Sequence, residues 1–499
     1  MPCAAAQSPP RATGPAVYRP RRPAATLLHR TVREHLETYL AGAGQDDDPA
    51  THVPFHVHAA FHDYLKCGIL AHGFARAYCA SCGHDFLIAF SCKGRDICPS
   101  CATRRMVETA AHLVDQVLPR VAYRQWVLSV PKRVRWHLRE KPEALSGVLG
   151  VFLRAVETTL RQRSPGAPLG ARYGAMAFVH RFGSYLNSHV HFHVLVTDGV
   201  FSNDGEGGAE FHRAAELETG DIAAVQAKIR RRGLRWLHRH GHLDDLAVHA
   251  LDSPDHAGGW SVDASVTIPD WDRQGLERLV RYCARPPLAQ ERLSRIDNAH
   301  LVYRLRKPTI DGRTELILTP LELLDRLAHL VTPPRRHKHR YCGVLAPNAT
   351  LRGAVIASAG PAGATLQVLE AAREKMGLTP ADETSTAARP LSADADEPRS
   401  AAGRLAARGW ALLLARIFEC LPLVCPRCGE PMRIIAFILD RSVIERILEH
   451  VGEPTEAPPV LPARSPPQGE LEFAQADASS GVDVWPEIDQ TAGGADGWE

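Results

Sequence analysis

The sequence predicts an α+β protein in which an antiparallel sheet with flanking helices follows a cysteine-rich, zinc-binding module. The sheet is indicated by three alternating histidines, His189, His191 and His193, which continue into an apolar stretch. It is also indicated by strand-like residue patterns over 123–130 and 174–182. Two Cys-x-x-Cys pairs near the N-terminal end indicate the module.

The composition indicates an intracellular globular protein. With 499 residues, 45% of them hydrophobic and 23% charged, the chain is long enough for two or three domains. We find neither an apolar run as long as a membrane span nor a secretory signal, so we expect a cytoplasmic protein without a membrane partner. The basic start resembles a transit peptide in composition, but its prolines oppose an amphipathic helix and favour a solvated arm.

The periodicity of apolar residues predicts the elements in order. A first helix covers 25–44 with Thr26 as its cap, and later helices are predicted over 144–163, 221–240, 270–284 and 321–330. Strands are predicted over 123–130, 174–182 and 189–197, the last two forming a hairpin around a turn at 183–188. The predicted organisation is a disordered basic arm 1–24, a helix and zinc module 25–110, a sheet domain 120–350, a linker 358–400, an accessory piece 403–451 and a disordered acidic tail 453–499.

Cysteine spacing predicts structural zinc, because intracellular thiols stay reduced and each Cys-x-x-Cys pair presents two thiolates on one tight turn. We expect Cys79 and Cys82 to combine with Cys98 and Cys101 in one tetrahedral site. Two further cysteines of the same segment leave room for a second ion or an exchange of ligands; they are Cys67 and Cys92.

A third pair, Cys425 and Cys428, precedes a strand-like run at 434–438 and forms half of such a site. Its partners would be Cys420 or a distant Cys or His. A turn with two unliganded thiols is an equal alternative.

The histidine strand predicts a metal site. Successive side chains of a strand point to opposite faces, so His189, His191 and His193 emerge on one side, above Val190 and Phe192. Imidazole is the commonest protein ligand for metals, and a strand holds such ligands rigidly. A half-exposed strand that happens to be rich in histidine is the alternative.

Clustered cations predict contact with phosphate backbones, although the net charge is only +3. One cluster begins at Arg230-Arg231-Arg232. The residues that we expect to bind DNA are Arg278, Arg335, Arg336, Lys338 and Arg340.

A metal beside a basic surface suggests phosphoryl chemistry, which needs a nucleophile. The predicted helix 270–284 buries one face and turns Tyr282 elsewhere, with Arg278 one turn before it and Arg285 three residues after it. A free tyrosine has a pKa of about 10, and guanidinium groups nearby favour the phenolate. A tyrosine that simply packs at a helix end is the alternative.

These motifs together resemble the HUH endonucleases, specifically the rolling-circle transposases of the insertion-sequence 91 family. The matching stretches extend over residues 20 to 350, with a weaker echo at 425–452. They are Leu186 to Phe201 around His191-Phe192-His193, Phe90-Ser91-Cys92-Lys93 with Cys98-Pro99-Ser100-Cys101, Tyr282-Cys283-Ala284-Arg285-Pro286, and Arg340 to Asn348.

The resemblance implies an HUH-type sheet as the catalytic domain, with a Mg or Mn ion held by His191 and His193. It implies that Tyr282 attacks a DNA phosphodiester, forming a 5'-phosphotyrosine and freeing a 3'-OH. Arg285 matches a position where related nicking enzymes often carry lysine. One tyrosine lies on this helix where some members have two, and Tyr303 is a distant candidate for the second.

A third metal ligand is expected from the hairpin. If Phe182 pairs with His189, then His180 lies across from His191 on the same face. The family often carries glutamine at the position of His180, so we rank His180 slightly above His189. Asp198 would bind the ion or shape the turn, and we favour the turn.

The function expected is therefore DNA nicking and strand transfer in transposition, in a bacterial cytoplasm at the nucleoid, on single-stranded or hairpin DNA. The alternatives are a relaxase or replication initiator with the same chemistry, and a non-catalytic zinc-ribbon DNA-binding protein.

Overall fold

The computed structural model describes residues 21–43, 52–252, 259–309, 311–360, 370 and 423–464. Most of the predicted arm, linker and tail, the first part of the accessory piece, and Cys420 lie outside these residues. The helices are α1 Leu27–Gly42, α2 Phe55–Lys66, α3 Pro99–Gln116, α4 Lys132–Glu140, α5 Pro142–Arg163, α6 Thr219–Arg239, α7 Asp245–Asp252, α8 Arg273–Ala284, α9 Pro320–Leu330, α10 Arg352–Ile356 and α11 Arg441–Val451. The strands are β1 Phe74–Tyr78, β2 Asp85–Ala89, β3 Tyr123–Ser129, β4 Gly174–Phe182, β5 Ser188–Thr197, β6 Gly199–Asn203, β7 Ala209–Arg213, β8 Ser261–Asp263, β9 Thr267–Ile268, β10 Leu293–Arg295, β11 Leu301–Arg304, β12 Glu315–Leu318, β13 His339–Gly343 and β14 Arg433–Ile438.

The chain forms two compact units. The described residues of the larger unit are 24–43, 52–67, 92–252, 259–309, 311–360 and 458–464, and those of the smaller unit are 21–23, 68–91, 370 and 423–457. This division differs from the predicted modules 25–110 and 403–451, because β14 pairs with β1 in one antiparallel sheet. A pairing between strands so far apart in the chain leaves no local pattern from which it can be predicted.

An antiparallel sheet with helices on both faces organises the larger unit. Its strand order is β13-β4-β5-β3-β8, with β9 also pairing β3. The apolar side chains of β5, such as Val190 and Phe192, are fully buried on the face covered by α4, α5 and α6. The opposite face packs against α3 and α8 in a second core that contains Phe178 and Leu279. The predicted α+β fold with an antiparallel sheet is confirmed.

Local signals set the ends of several predicted elements. Thr26 caps α1 by accepting a hydrogen bond from the His29 amide, 3.3 Å away, as predicted. Asp272 caps α8 in the same way through the Gly275 amide at 2.7 Å. The predicted helices and strands all form, with ends that differ by at most three residues.

A further layer of the larger unit combines α1, α2 and α9 with the small sheet β10-β11-β12 around a third core. Residues 458–464 belong here, although they fall within the predicted disordered tail. The Leu461 amide donates to the Arg33 carbonyl at 3.0 Å, and the Arg464 amide donates to the Thr38 hydroxyl at 3.1 Å. These hydrogen bonds to α1 hold the segment, so the predicted disorder is wrong for these residues.

No helix among the described residues is both long enough and apolar enough to span a bilayer.

Candidate active site and cysteine clusters

Three histidines meet on the α3 and α8 face of the central sheet. His180 of β4 pairs with His191 of β5, and the next pair on the same face of the sheet is Phe178 with His193. The expected opposition of His180 and His191 is confirmed, but Phe182 pairs with Ser188 rather than His189 because a bulge interrupts the ladder after His180.

The side chains of His180, His191 and His193 form a group in which one ring nitrogen of each lies within 4.8 Å of the others. We call this group the histidine cluster. His180 and His193 are each only 3% exposed. His189 lies outside the cluster, although its ring centroid is 4.9 Å from that of His191.

Hydrogen bonds leave each ring of the cluster with a nitrogen available for a metal. The His180 Nε2 donates to the Cys283 carbonyl at 2.6 Å, and its buried Nδ1 has no partner among the described residues. The His191 Nδ1 donates to the His189 carbonyl at 3.2 Å, so the lone pair on Nε2 is free to bind a metal. Outer hydrogen bonds of this kind fix the tautomer of metal-binding histidines. The ring set therefore fits a divalent ion.

Gln125 of β3 supplies the corresponding contact to His193, with its amide nitrogen Nε2 placed 2.8 Å from Nδ1. The oxygen and nitrogen of an amide are assigned from the network of hydrogen bonds. When the amide oxygen faces the ring, it accepts the Nδ1 proton and leaves Nε2 free for a metal.

Burial keeps the histidine cluster neutral at pH 7. Burial and, secondarily, the charge of Arg285 lower the pKa of His191 to about 4, even though the hydrogen bond to the His189 carbonyl raises it. Burial also lowers the pKa of His180 and His193 well below the usual range. Neutral imidazole is the form that binds metals.

Tyr282 lies beside the histidine cluster at the last turn of α8. Its ring centroid is 5.5 Å from that of His193, with the two rings nearly perpendicular. The Arg285 guanidinium carbon lies 4.3 Å from the Tyr282 ring centroid, and that of Arg306 lies 5.6 Å away. The sequence around Arg306 contains no motif that marks this arginine as a site residue, so it could not be selected before the fold was known.

Other candidates are held in structural roles. Asp198 accepts two hydrogen bonds from the Arg124 guanidinium, at 3.0 and 3.2 Å, and lies outside the histidine cluster. Tyr303 is buried, and its hydroxyl accepts a hydrogen bond from the Ala289 amide at 3.4 Å. Arg278 lies 3.8 Å from the Asp272 carboxylate.

The first cysteine cluster belongs to the larger unit and joins Cys67, Cys92, Cys98 and Cys101. The Cys67 and Cys101 sulfurs are 3.6 Å apart, as are those of Cys92 and Cys101. Tetrahedral zinc with bonds of about 2.3 Å places its sulfurs about 3.8 Å apart. Cys98 is the N-cap of α3, so the cluster lies at the start of that helix.

The second cysteine cluster belongs to the smaller unit and joins Cys79, Cys82, Cys425 and Cys428. The sulfurs of Cys79 and Cys428 are 3.5 Å apart, as are those of Cys82 and Cys425. The first pair lies in the turn between β1 and β2, and the second lies just before β14. Pairing of β1 with β14 brings the two turns together.

The structure thus separates the two pairs expected to share one site. Cys79 and Cys82 are grouped with the C-terminal pair, and Cys98 and Cys101 with the two single cysteines Cys67 and Cys92. Spacing alone cannot distinguish these pairings, because any two knuckles offer the same ligands. Strand pairing decides between them.

The basic residues expected to bind DNA are distributed differently. Arg336 and Lys338 line a cleft beside His180, but the Lys338 ammonium forms an ion pair with the buried Asp96. Arg340 donates to the Ser146 hydroxyl at 3.0 Å, and Arg335 is exposed. Lys338 is therefore held by a protein carboxylate.

Gln125 and the Cys283 carbonyl were not selected from the sequence. Alternate residues of a strand share a face, and on the predicted strand 123–130 the odd-numbered residues, Gln125 among them, lie on the same face of the sheet as the histidines. The carbonyl of a helix end carries no sequence signal.

Comparisons with known proteins agree with this geometry. Residues 31–130 match the family model described as "Transposase zinc-binding domain", of the insertion-sequence 91 type, and residues 174–351 match the model described as "Putative transposase". The chain is also similar to "Putative transposase y4qJ" of Sinorhizobium fredii, with 25% identity over 279 residues that cover 54% of this chain and 69% of that protein. No solved structure matches the chain significantly. The zinc-binding domain, the transposase domain and this relative show that the chain belongs to the insertion-sequence 91 family of transposases.

Proposed function

We propose that this transposase is a metal-dependent tyrosine nickase and strand transferase that acts through a 5'-phosphotyrosine in rolling-circle transposition, at the nucleoid of a bacterial cell. The observation that carries the proposal is the position of Tyr282, whose ring centroid lies 5.5 Å from that of His193 in the histidine cluster. A nucleophile and a metal site this close can act on the same phosphate.

The histidine cluster would hold a Mg or Mn ion through the Nδ1 of His180 and the Nε2 atoms of His191 and His193. When bound, such an ion neutralises charge on the scissile phosphate and polarises its phosphorus. Imidazole favours Mn over Mg, because Mg prefers oxygen ligands and keeps its waters.

In the proposed step the Tyr282 oxygen forms a bond to phosphorus while the bond from phosphorus to the 3'-oxygen breaks. The phenol loses a proton and the departing 3'-oxygen gains one, so the products are a phosphotyrosine diester and a 3'-OH. Arg285 and Arg306, both close to the Tyr282 ring, would stabilise negative charge on its oxygen. Because one diester replaces another, the step is reversible, and strand transfer is its reversal with a new 3'-OH.

The zinc module supports the transposase proposal over a relaxase or replication initiator, because residues 31–130 match a transposase zinc-binding domain. Zinc in the two cysteine clusters would be structural, since four thiolates leave no open position for a substrate.

The test is covalent capture of labelled DNA. The full chain is incubated with Mn and single strands that carry either end of its element, labelled at the 3' or the 5' terminus. The 3'-labelled strand should appear as a protein adduct that disappears in Tyr282→Phe, while the 5'-labelled strand should yield a shortened product with a free 3'-OH.

Tyr303→Phe is the matched control, because this tyrosine is buried away from the histidine cluster, and it should keep the adduct. An adduct with the 5'-labelled strand would overturn the proposed polarity. DNA binding without any adduct would support a non-catalytic zinc-ribbon protein.

A further inference from the structure

A cleft of about 200 Å³ opens beside the histidine cluster within the larger unit. Its walls come from the start of α3 with the preceding residues 95–96, from the end of β4, from residues 283–286 at the end of the tyrosine helix, and from the segment 330–339. His180 and Arg285 both line it, so the cleft borders the cluster and the helix that carries Tyr282. It is smaller than the sites of about 300–1,000 Å³ that enclose a small molecule.

The lining of this cleft is strongly cationic. It contains the single carboxylate Asp96 and six cations, which are Arg95, Arg105, Arg181, Arg285, Arg336 and Lys338. Asp96 is already neutralised, because it forms an ion pair with Lys338 and accepts hydrogen bonds from the Thr332 amide and hydroxyl at 3.1 and 3.2 Å. The other five cations therefore share no free carboxylate in the lining.

Two of these arginines hold the walls together. The Arg95 guanidinium donates to the Arg336 carbonyl at 3.1 Å and to the Pro333 carbonyl at 3.4 Å. Arg105 donates to the Lys93 carbonyl at 2.9 Å. Arg181 donates to the Arg139 carbonyl at a longer 3.4 Å. Together with Arg285 and Arg336, it is left to bind an external anion.

Within the described part of the chain, none of these three arginines forms an ion pair with a carboxylate, although the Arg285 guanidinium lies over the Tyr282 ring. The Nε of Arg285 is buried without a hydrogen-bond acceptor. Burial and the neighbouring charges of Arg336 and Arg340 lower the pKa of Arg181. Like charges gathered in a cleft cost free energy unless an anion binds there, and guanidinium groups fit phosphate oxygens in a bidentate manner.

We infer that this cleft holds the phosphates of one DNA strand next to the scissile phosphate, with Arg181 and Arg336 as binding residues. The inference rests on the proposed function, because the identity of the anion follows from its place beside the histidine cluster and Tyr282. The first cysteine cluster contributes indirectly, since it lies at the start of α3 and orders the wall that carries Arg95 and Arg105.

The test measures binding without chemistry. Affinity for a fluorescein-labelled single strand of 20 nucleotides is measured by anisotropy, without added Mn and in the Tyr282→Phe background. Arg181→Gln and Arg336→Gln should each weaken binding about tenfold, as expected for a lost charged hydrogen bond. Each lost contact should also reduce the slope of log affinity against log salt by about 0.7.

Arg154→Gln is the matched control, because this arginine is exposed on α5 and does not line the cleft. Thermal unfolding of every variant checks that the fold is intact, and Arg181→Lys should recover part of the affinity if charge is what the cleft supplies. Binding by Arg181→Gln and Arg336→Gln equal to that of the control, or a loss confined to duplex DNA, would overturn the inference.

The outcomes separate this inference from the proposed function. An adduct at Tyr282 together with unchanged binding by the cleft variants would remove the cleft and keep the nickase. Weakened binding without any adduct in the parent chain would keep the strand-binding cleft and remove the nickase.

Discussion

The two cysteine clusters each offer four thiolates, but they bring these ligands together from different distances along the chain. In the first cluster the neighbouring residues Cys67 and Cys101 are 34 positions apart in the chain, and both belong to the larger unit. In the second cluster Cys79 and Cys428 are 349 positions apart, and Cys82 and Cys428 are exposed. The same metal chemistry can thus order one local segment or join two distant ones.

The surroundings give the clusters different consequences for the active site. The first cluster lies at the start of α3, which packs along α8 and therefore along the helix that carries Tyr282. The second cluster packs against Ala77 and Met432 inside the smaller unit. We therefore expect loss of the first cluster to disturb the chemistry of Tyr282 and loss of the second to disturb mainly its own unit.

The largest effect is expected from Cys98→Ser. Structural zinc contributes folding free energy on the order of 10 kcal/mol, and Cys98 also begins α3. The variant should bind one zinc fewer, unfold at least roughly 10 °C lower and form no adduct, as measured by metal analysis, thermal unfolding and DNA capture. Cys342→Ser, at a cysteine outside both clusters, is the control. Unchanged zinc content in Cys98→Ser would show that the first cluster does not bind zinc through Cys98.

A smaller effect on chemistry is expected from Cys428→Ser in the second cluster. The variant should also lose one zinc, but adduct formation on a short single strand should fall by less than about tenfold, which corresponds to 1.4 kcal/mol. Metal analysis and the same capture assay measure both quantities. If this variant abolished the adduct as completely as Cys98→Ser does, the two clusters would not differ in the way proposed.

Arg273 tests whether α3 and α8 act together. This residue is 3% exposed at the start of α8, and its guanidinium donates to the carbonyls of Val114, Leu118 and Pro119 at the end of α3. Arg273→Met removes the arginine donor from the Val114 and Leu118 carbonyls, while the Pro119 carbonyl still accepts from the Val121 amide and the Tyr123 hydroxyl. The variant should lower the free energy of unfolding by about 2–4 kcal/mol.

The control is Arg104→Gln on α3, which breaks a surface ion pair with Glu108 and should cost at most about 0.5 kcal/mol. Both variants are compared by denaturant unfolding. Equal stability of the two would show that Arg273 does not link the helices.

The smallest effect concerns the pH dependence of metal binding by the histidine cluster. An ordinary histidine with a pKa of about 6.5 is mostly protonated at pH 6, but burial lowers the pKa of His191 to about 4. Protons should therefore not compete with a metal until the pH falls well below 6. Mn affinity, measured by titration calorimetry, should change by less than about twofold between pH 8 and pH 6. A loss of tenfold or more over this range would show that the histidines titrate normally.

Local sequence signals predicted much of the larger unit. Helical and strand periodicity predicted α1, α5, α6, α8 and α9 and the strands β3, β4 and β5, because these signals lie within each segment of the chain. The alternation of His189, His191 and His193 was enough to predict a metal-binding surface. It was not enough to choose the ligands, because a bulge and the pairing of β4 with β5 bring His180 in and leave His189 outside the cluster.

By itself, the sequence determined which groups are available: six thiols between residues 67 and 101, a further pair at 425 and 428, alternating imidazoles, and a tyrosine at the end of an amphipathic helix. Only the tertiary structure decided which of them meet. Strand pairing over hundreds of residues joined Cys79 with Cys428, packing of α8 on the sheet brought Tyr282 to His193, and four separate segments formed the cationic cleft. The physical reason is that periodicity and capping are local properties of the chain, whereas the partner of a strand edge or a buried face is fixed by the free energy of the whole fold.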